Sequence, residues 1–194
     1  EKIIEILDKE GYVLSRKEIL QKVNVGERSG KPIEIVKSKQ WYIKYLDMKN
    51  QFLGRADELE WVPPHMKVRL DNWIEGLSWD WSIARQRNFG VPIPVWYDEE
   101  GNVYLPNENQ LPVDPTVDRP EGIKKNLIPE TDVFDTWFTS SSTPDILVSL
   151  FGKEIYPLSL RPQSSEIINF WLFYTLAKAE LLHGKLPWEK TSIS

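Results

Sequence analysis

The spacing of apolar residues predicts that the first half of the chain combines short helices with short strands. Helices are predicted where apolar residues recur every three or four positions, over residues 3–7, 47–53 and 66–74. Strands are predicted at residues 12–14, 33–36 and 40–43, the last two after a turn at residues 26–32 that contains two glycines and a proline.

The middle of the chain is rich in tryptophan and proline and predicts extended segments and loops. Pro92 and Pro94 remove backbone donors from the apolar run at residues 90–97, so this run is predicted to be an edge strand or a strand entry rather than a central strand. Residues 98–102 are typical of a hairpin tip. The polar, proline-rich stretch that continues to Leu127 predicts a surface insertion.

The last third of the chain has the pattern of a strand, helix and strand crossover. A strand is predicted over residues 132–138, a turn at 140–144, a long apolar helix over 167–182 and a final strand from Trp188. A crossover helix of this kind joins parallel strands. The predicted fold class is therefore α/β with a parallel sheet.

Composition and charge exclude several classes of function. The 194 residues carry 24 Lys and Arg against 29 Asp and Glu, a net charge of −5, so any contact with RNA would be local. The absence of cysteine excludes disulfides, thiolate zinc sites and a cysteine nucleophile, and two histidines leave little for a metal centre. No apolar run approaches the roughly 20 residues of a membrane span. A cytoplasmic protein without membrane contact is expected.

Nine tryptophans are unusual in a chain of this length and call for an explanation. An indole offers a large apolar face and one donor, which suits both core packing and ligand pockets. Core packing is the commoner use of tryptophan. The number of tryptophans alone therefore does not identify which of them line a pocket.

Four segments in order carry a resemblance to a known family: Lys39-Gln40-Trp41-Tyr42-Ile43, residues 80–87 with 90–96, Asp135-Thr136-Trp137-Phe138, and Leu160-Arg161-Pro162-Gln163 leading into residues 167–171. Together they resemble the catalytic core of class I aminoacyl-tRNA synthetases of the valyl, isoleucyl and leucyl group. Residues 135–141, Thr143-Pro144 and Arg161-Pro162-Gln163 are similar to valyl members, particularly archaeal ones. Isoleucyl specificity is the alternative within the family.

The resemblance implies a fragment of a Rossmann-type catalytic domain. Residues 131–194 would form the second half of that domain, and residues 1–130 a mixed α+β connective segment, with a small β knuckle and a surface insertion, that returns from an editing domain. The family's HIGH motif and editing domain would lie upstream and its KMSKS loop downstream. The fragment alone is then expected to be inactive, and its open sheet edge could support dimerisation.

The implied activity of the full-length protein is ligation of valine to tRNA, and the implied nucleotide substrate is ATP with bound Mg. No zinc is expected, because the turn at residues 26–30, where many relatives carry a zinc knuckle, has no cysteine. A non-catalytic paralogue that binds tRNA or a protein partner is the rival interpretation. Ala84 and Glu166, which replace a serine and an aspartate usual in the family, favour it slightly.

An amino-acid pocket is expected from three apolar side chains. Trp137 ends a predicted parallel strand, and Ile167 and Trp171 lie four residues apart on one predicted helix, so all three can converge at the carboxyl edge of the sheet. The resemblance assigns these positions, with Asp135, to the valine pocket. The alternative is an ordinary core between helix and sheet, with Asp135 ordering its strand.

Two further pairs of polar residues are candidates. Gln163 and Glu166 flank the start of the predicted helix, and the resemblance places this stretch against the ribose of the adenylate; the alternative is a capped helix start. Arg85 and Arg87 lie in a segment similar to the family's SRQ motif, which implies contact with the tRNA acceptor end or support of the catalytic face. Alternatively, both arginines pair with nearby carboxylates such as Asp80.

Overall fold

The computed structural model describes residues 2–27, 29–34 and 37–194, and the chain divides into two compact units, Glu1–Lys39 and Gln40–Ser194. The predicted division into a connective segment, residues 1–130, and the second half of a catalytic domain, residues 131–194, is a different one and stays a prediction.

The first unit contains helix α1, Lys2–Lys9, as the apolar spacing predicted. The helix ends before Gly11, whose φ of 76° lies in the left-handed region that glycine adopts without strain. The strand predicted at residues 12–14 is wrong, because these residues pair with no strand in the part of the chain that is described. Val25 and Pro32 form an antiparallel bridge around the predicted turn. Ile35 and Val36 of the next predicted strand, and Arg28 of the turn, lie outside the described residues.

The second unit contains five more α-helices among the described residues: α2 Lys49–Glu58, α3 Lys67–Gly76, α4 Thr136–Ser140, α5 Thr143–Phe151 and α6 Phe173–His183. Helices α2 and α3 confirm the helices predicted at residues 47–53 and 66–74. The predicted turn at residues 140–144 runs directly into α5, which has Pro144 in its first turn. Helix α6 ends at Gly184, whose φ is 60° and whose N–H donates to the carbonyl of Glu180.

The strands of the second unit are short except for two: β1 Tyr42–Ile43, β2 Glu60–Val62, β3 Trp81–Ser82, β4 Ala84–Arg85, β5 Trp96–Tyr97, β6 Val103–Tyr104, β7 Ile128–Pro129, β8 Val133–Phe134, β9 Leu158–Gln163 and β10 Trp188–Ile193. Parallel pairing gives a three-stranded sheet in the order β2-β10-β9, with Thr191 opposite both Trp61 and Arg161. The predicted α/β class with a parallel sheet is confirmed.

A crossover helix joins two parallel strands as predicted, but the strand before it is β9 and not the predicted strand at residues 132–138. Helix α6 connects β9 to β10, whereas the predicted strand at residues 132–138 contributes only β8, which pairs antiparallel with β4. Asp135 begins a helix instead of continuing the strand, because its carbonyl accepts the N–H groups of Phe138 and Thr139. Trp137 therefore lies in helix α4 and does not end a parallel strand.

The middle of the chain forms an antiparallel sheet in the order β6-β5-β7. The hairpin tip predicted at residues 98–102 is confirmed between β5 and β6. Pro92 and Pro94 precede β5, so the apolar run leads into a strand as predicted. The expectation that this strand is not central is wrong, because both prolines lie before the paired residues and β5 lies between β6 and β7. The insertion is anchored by Trp96, whose indole N–H donates to the carbonyl of Pro115 at 3.1 Å.

The main core lies between the parallel sheet and helices α2, α3 and α6. Its most completely buried side chains come from all of these elements: Phe52, Leu70, Ile74, Leu172, Phe173, Leu176 and Trp188. Rings of Tyr45, Phe52 and Phe173 meet edge to face with centroids 5.6 to 6.0 Å apart, a favoured aromatic geometry. Within the described residues, no helix has the length and apolar character that crossing a membrane requires.

Candidate functional site

The candidate site lies where β9 ends and the crossover to α6 begins. Gln163 is the last residue of β9, and its carbonyl accepts the N–H of Ser194 at 3.0 Å. The N–H of Ser165 in turn donates to the carbonyl of Ser194 at 3.1 Å. These bonds hold the carboxyl ends of β9 and β10 side by side, at the edge where open α/β sheets bind ligands.

The first turn of the crossover has the capped start that is the alternative interpretation of this stretch, while the predicted ribose contact stays a prediction. The hydroxyl of Ser164 accepts the N–H of Glu166 at 3.3 Å, at the start of a 3₁₀ turn that spans Ser165–Ile167. Gln163 is buried, and its Oε1 has no hydrogen-bond partner among the residues that the structure describes, whereas the Glu166 side chain is exposed. The two residues thus present one buried amide and one exposed carboxylate near the strand end.

The continuous α-helix predicted over residues 167–182 is wrong at its beginning. After the 3₁₀ turn, residues Ile168–Leu172 form a π-helical segment, and α6 begins only at Phe173. A π-helical turn holds one more residue than an α-helical turn, so Ile167 and Trp171 do not have the spacing assumed for a single α-helix. Such segments are frequent at functional sites.

Two contacts join helix α4 to the π-helical segment. The rings of Trp137 and Phe170 are stacked, with centroids 5.4 Å apart and planes 14° apart. The indole N–H of Trp171 donates to the carbonyl of Ser140 at 3.1 Å. The structure therefore brings Trp137 and Trp171 to the same junction through Phe170 and Ser140, and Ile167 is half-buried at the end of the preceding turn.

Asp135 and Arg85 form an ion pair beside this junction. Asp135 Oδ2 lies 3.3 Å from Arg85 Nη2, and the aspartate side chain is buried. Arg85 Nη1 also donates to the carbonyls of Ala84 and Ser82, at 2.8 and 3.0 Å. Arg85 thus pairs with a carboxylate, as the alternative interpretation predicts, but the partner is Asp135 and not Asp80, which accepts the backbone N–H of Tyr45 at 3.0 Å.

A cleft of about 440 Å³ opens beside this ion pair. Arg85 and Asp135 lie on its wall with the exposed Arg87 and Phe89. A second cleft of about 420 Å³ is also lined by Arg85, together with aromatic residues that include Trp73 and Tyr174. Trp137, Ile167 and Trp171 line neither cleft.

Sequence reasoning did not assign a role to Phe170, Ser140 or Arg161, all of which contact the predicted pocket residues. Arg161 is buried, and its guanidinium lies over the ring of Trp171. One signal could have found it: Arg161 is two residues from Gln163 in a strand, so both side chains project from the same face of the sheet.

Within residues 2–27, 29–34 and 37–194, no group of three or more His, Cys, Asp or Glu side chains is arranged to hold a metal ion. The expectation that the protein needs no zinc stays a prediction.

Comparisons with known proteins give one consistent result. Residues 6–194 match the family model described as tRNA synthetases class I (I, L, M and V). Curated relatives named valine–tRNA ligase include those of Thermoplasma acidophilum, 47% identical over 203 residues, and Rickettsia conorii, 43% identical over 208 residues; each match covers 100% of this chain. These matches cover 25% and 26% of the relatives, so the chain spans about a quarter of their length.

Proposed function

The chain belongs to the class I tRNA synthetase family (I, L, M and V), and from this premise we propose that the whole protein carrying it is a cytoplasmic valine–tRNA ligase. The observation that carries the proposal is the similarity to valine–tRNA ligases along the entire chain, at 43% to 47% identity in the relatives from Thermoplasma and Rickettsia. The chain supplies one part of the aminoacylation site.

The proposed reaction has two steps. A carboxylate oxygen of valine forms a bond to the α-phosphorus of ATP while the bond from that phosphorus to pyrophosphate breaks. A terminal ribose hydroxyl of tRNA then attacks the valyl carbonyl, AMP leaves with the bonding electrons, and the hydroxyl loses its proton. Neither step needs a covalent enzyme nucleophile, so the protein acts by positioning and by stabilising charge.

The proposed valine pocket uses Trp137, Ile167 and Trp171, with Asp135 close to Trp137 in the chain. The stacked ring of Phe170 and the hydrogen bond to Ser140 support the two indoles. Such an apolar pocket can exclude isoleucine by size. It separates valine from threonine by only about 10²-fold, because a hydroxyl has nearly the size of a methyl group, so editing elsewhere in the protein is expected.

The proposed nucleotide contacts come from the end of β9. The buried amide of Gln163 and the carboxylate of Glu166 are near enough in the chain to meet the ribose of the adenylate together. Magnesium bound to ATP would offset charge on its phosphates. Within the family pattern, the remaining phosphate contacts belong to the HIGH and KMSKS motifs, so this chain alone is expected to be inactive.

The two arginines of the central segment are proposed to have different roles. Arg85 is held by Asp135 and by two backbone carbonyls, which suits support of the catalytic face. Arg87 is exposed on the cleft beside Phe89, which suits contact with the acceptor end of tRNA. The edges of the parallel sheet at β2 and β9 remain candidates for dimerisation of the isolated chain.

Exchange of pyrophosphate into ATP by the whole protein tests the proposal. Valine should support exchange with a higher kcat/KM than isoleucine or threonine. A preference for isoleucine would replace the valyl assignment with the isoleucyl one. Absence of exchange with every amino acid, together with retained tRNA or protein binding, would instead establish the non-catalytic paralogue that Ala84 and Glu166 favour.

A further inference from the structure

Arg161 is a buried cation without an acidic partner in the described part of the chain. Its residue exposure is 5%, and neither Nε nor Nη2 has a hydrogen-bond partner there. Burial lowers the pKa of Arg161 below the ordinary arginine value, because removal from water disfavours the charged form. A charge buried in this way is destabilising unless other contacts compensate for the loss of water.

The compensating contacts are two indole rings. The guanidinium carbon of Arg161 lies 3.1 Å from the ring centroid of Trp171 and 4.7 Å from that of Trp188. A planar guanidinium can stack on an aromatic face and is attracted to its electrons, most strongly when water is excluded. The closer of the two rings is the one proposed to line the valine pocket.

The indole of Trp171 is therefore held in two directions. Its N–H donates to the carbonyl of Ser140, which fixes one edge of the ring, and Arg161 covers one face. Trp171 belongs to the π-helical segment, where the regular α-helical hydrogen bonds are interrupted. The position of this ring therefore depends more on side-chain contacts than it would in a regular helix.

We propose that Arg161 is a positioning residue for amino-acid selection: its guanidinium braces the indole of Trp171 and so sets the size limit of the valine pocket. The inference rests on the proposed function. A methionine of similar length could fill the same space at a lower desolvation cost, but its flexible chain offers no rigid plane against the indole. A lysine keeps the charge over the ring but loses the planar stack.

The test uses Arg161→Met and Arg161→Lys in the whole protein, assayed by pyrophosphate exchange. In Arg161→Met, the KM for valine should rise by about tenfold and the preference for valine over isoleucine should fall by about fivefold, as expected for losing a desolvated cation–π contact. The KM for ATP should change less than about twofold. Arg161→Lys should recover about half of the lost preference, on a logarithmic scale.

A matched control is available at the other end of α6. Arg55 forms an ion pair with Glu180 at 2.6 Å and donates to the carbonyl of Gly184, also at 2.6 Å. Arg55→Met also removes a partly buried guanidinium, so it should lower the melting temperature. The KM for valine and the preference over isoleucine should stay at their wild-type values.

The outcomes separate this inference from the proposed function. Folded Arg161→Met with an unchanged valine KM and unchanged preference would overturn the positioning role, as would an equal rise in the KM values for valine and ATP. If Arg161→Met does not fold, Arg161→Lys decides, and an unchanged preference there overturns the role. Failure of the wild-type protein to activate valine would overturn the proposed function itself, which no result with the variants can mimic.

Discussion

Two tryptophans, one in edge strand β2 of the parallel sheet and one just after edge strand β9, make the same kind of hydrogen bond in different surroundings. Trp61, in β2, donates its indole N–H to the carbonyl of Ala56 at 2.9 Å, and Trp171, beyond the end of β9, donates to the carbonyl of Ser140 at 3.1 Å. Trp61 is buried in the main core, whereas Trp171 is half-buried, lies in a π-helical segment and has a charged guanidinium on its face.

The comparison shows that an indole hydrogen bond does not by itself indicate a pocket. What distinguishes Trp171 is the combination of partial exposure, an irregular backbone and a buried charge. Each of these features is unfavourable for stability, and regular core packing does not require them. We therefore expect Trp61 to serve folding and Trp171 to serve recognition.

Alanine substitution at the two tryptophans should give the largest effects and the clearest contrast. Trp61→Ala should lower the free energy of unfolding by about 3–5 kcal/mol, the usual cost of removing a large buried side chain. Trp171→Ala should raise the KM for valine by about tenfold or more, and the KM for ATP should change little. Thermal unfolding and both KM values, measured on each variant of the whole protein, would check this. A normal valine KM in Trp171→Ala would assign that residue to the core.

Loss of the ring stacked on Trp137 should have a smaller effect of the same kind. Phe170→Leu removes an aromatic contact of about 0.5–1.5 kcal/mol, which corresponds to a rise in valine KM of about two- to tenfold if that contact orients the pocket. The control is Phe52→Leu, which removes a core ring whose centroid lies 5.6 Å from that of Phe173. Equal changes in valine KM for the two variants would remove Phe170 from the site.

The nucleotide side of the site should respond separately from the amino-acid side. Glu166→Ala should raise the KM for ATP by about fivefold, the effect of one hydrogen bond near 1 kcal/mol, and leave the valine KM within about twofold. Glu189→Ala, at an exposed glutamate of β10, is the control. A rise in the KM for valine without a rise in the KM for ATP would contradict the assignment of Glu166 to the nucleotide.

The smallest expected effect lies at the hairpin tip, far from both tryptophans in the chain. Asn102 donates to both Asp98 oxygens, one through its side chain and one through its backbone, and these bonds hold the Asp98 pKa well below the usual carboxyl range. Asp98 therefore contributes stability at neutral pH that is lost as the pH falls below the ordinary carboxyl pKa towards the lower pKa of the folded state.

Melting temperatures measured across pH would check this contribution. Asp98→Asn should melt below the wild-type protein at pH 7, and the difference should narrow below about pH 4. Glu99→Gln, at the exposed neighbour, should show no such trend. A difference in melting temperature that stays constant across this range would contradict the role of the Asp98 charge.

The predictable parts of the fold were those where local pattern and tertiary structure agree. Helices α2 and α3 follow from apolar spacing, and the hairpin tip at residues 98–102 follows from its turn residues. Strand β9 was missed because Pro162 argues against a strand; it is tolerated because β9 is an edge of its sheet.

The candidate site was less predictable than the fold. The π-helical segment was missed because residues 167–182 are apolar around most of the helix, so periodicity could not reveal an extra residue in one turn. The sequence predicts a strand through Trp137 because Val133 and Phe134 favour a strand. The short helix that contains Trp137 begins only after Asp135. Arg161 belongs to the Arg161-Pro162-Gln163 segment that resembles valyl members of the family, but its stacking on Trp171 depends on tertiary contact between β9 and the crossover.

The most direct test of the central claim is the ratio of kcat/KM for valine to that for isoleucine, measured by pyrophosphate exchange in the wild-type whole protein, Trp171→Ala and Trp61→Ala. The wild-type protein and the folded fraction of Trp61→Ala should share one ratio that favours valine, whereas Trp171→Ala should lower it by about tenfold because the enlarged pocket admits the extra methylene. The same ratio in all three proteins would contradict the assignment of Trp171 to the wall that selects valine.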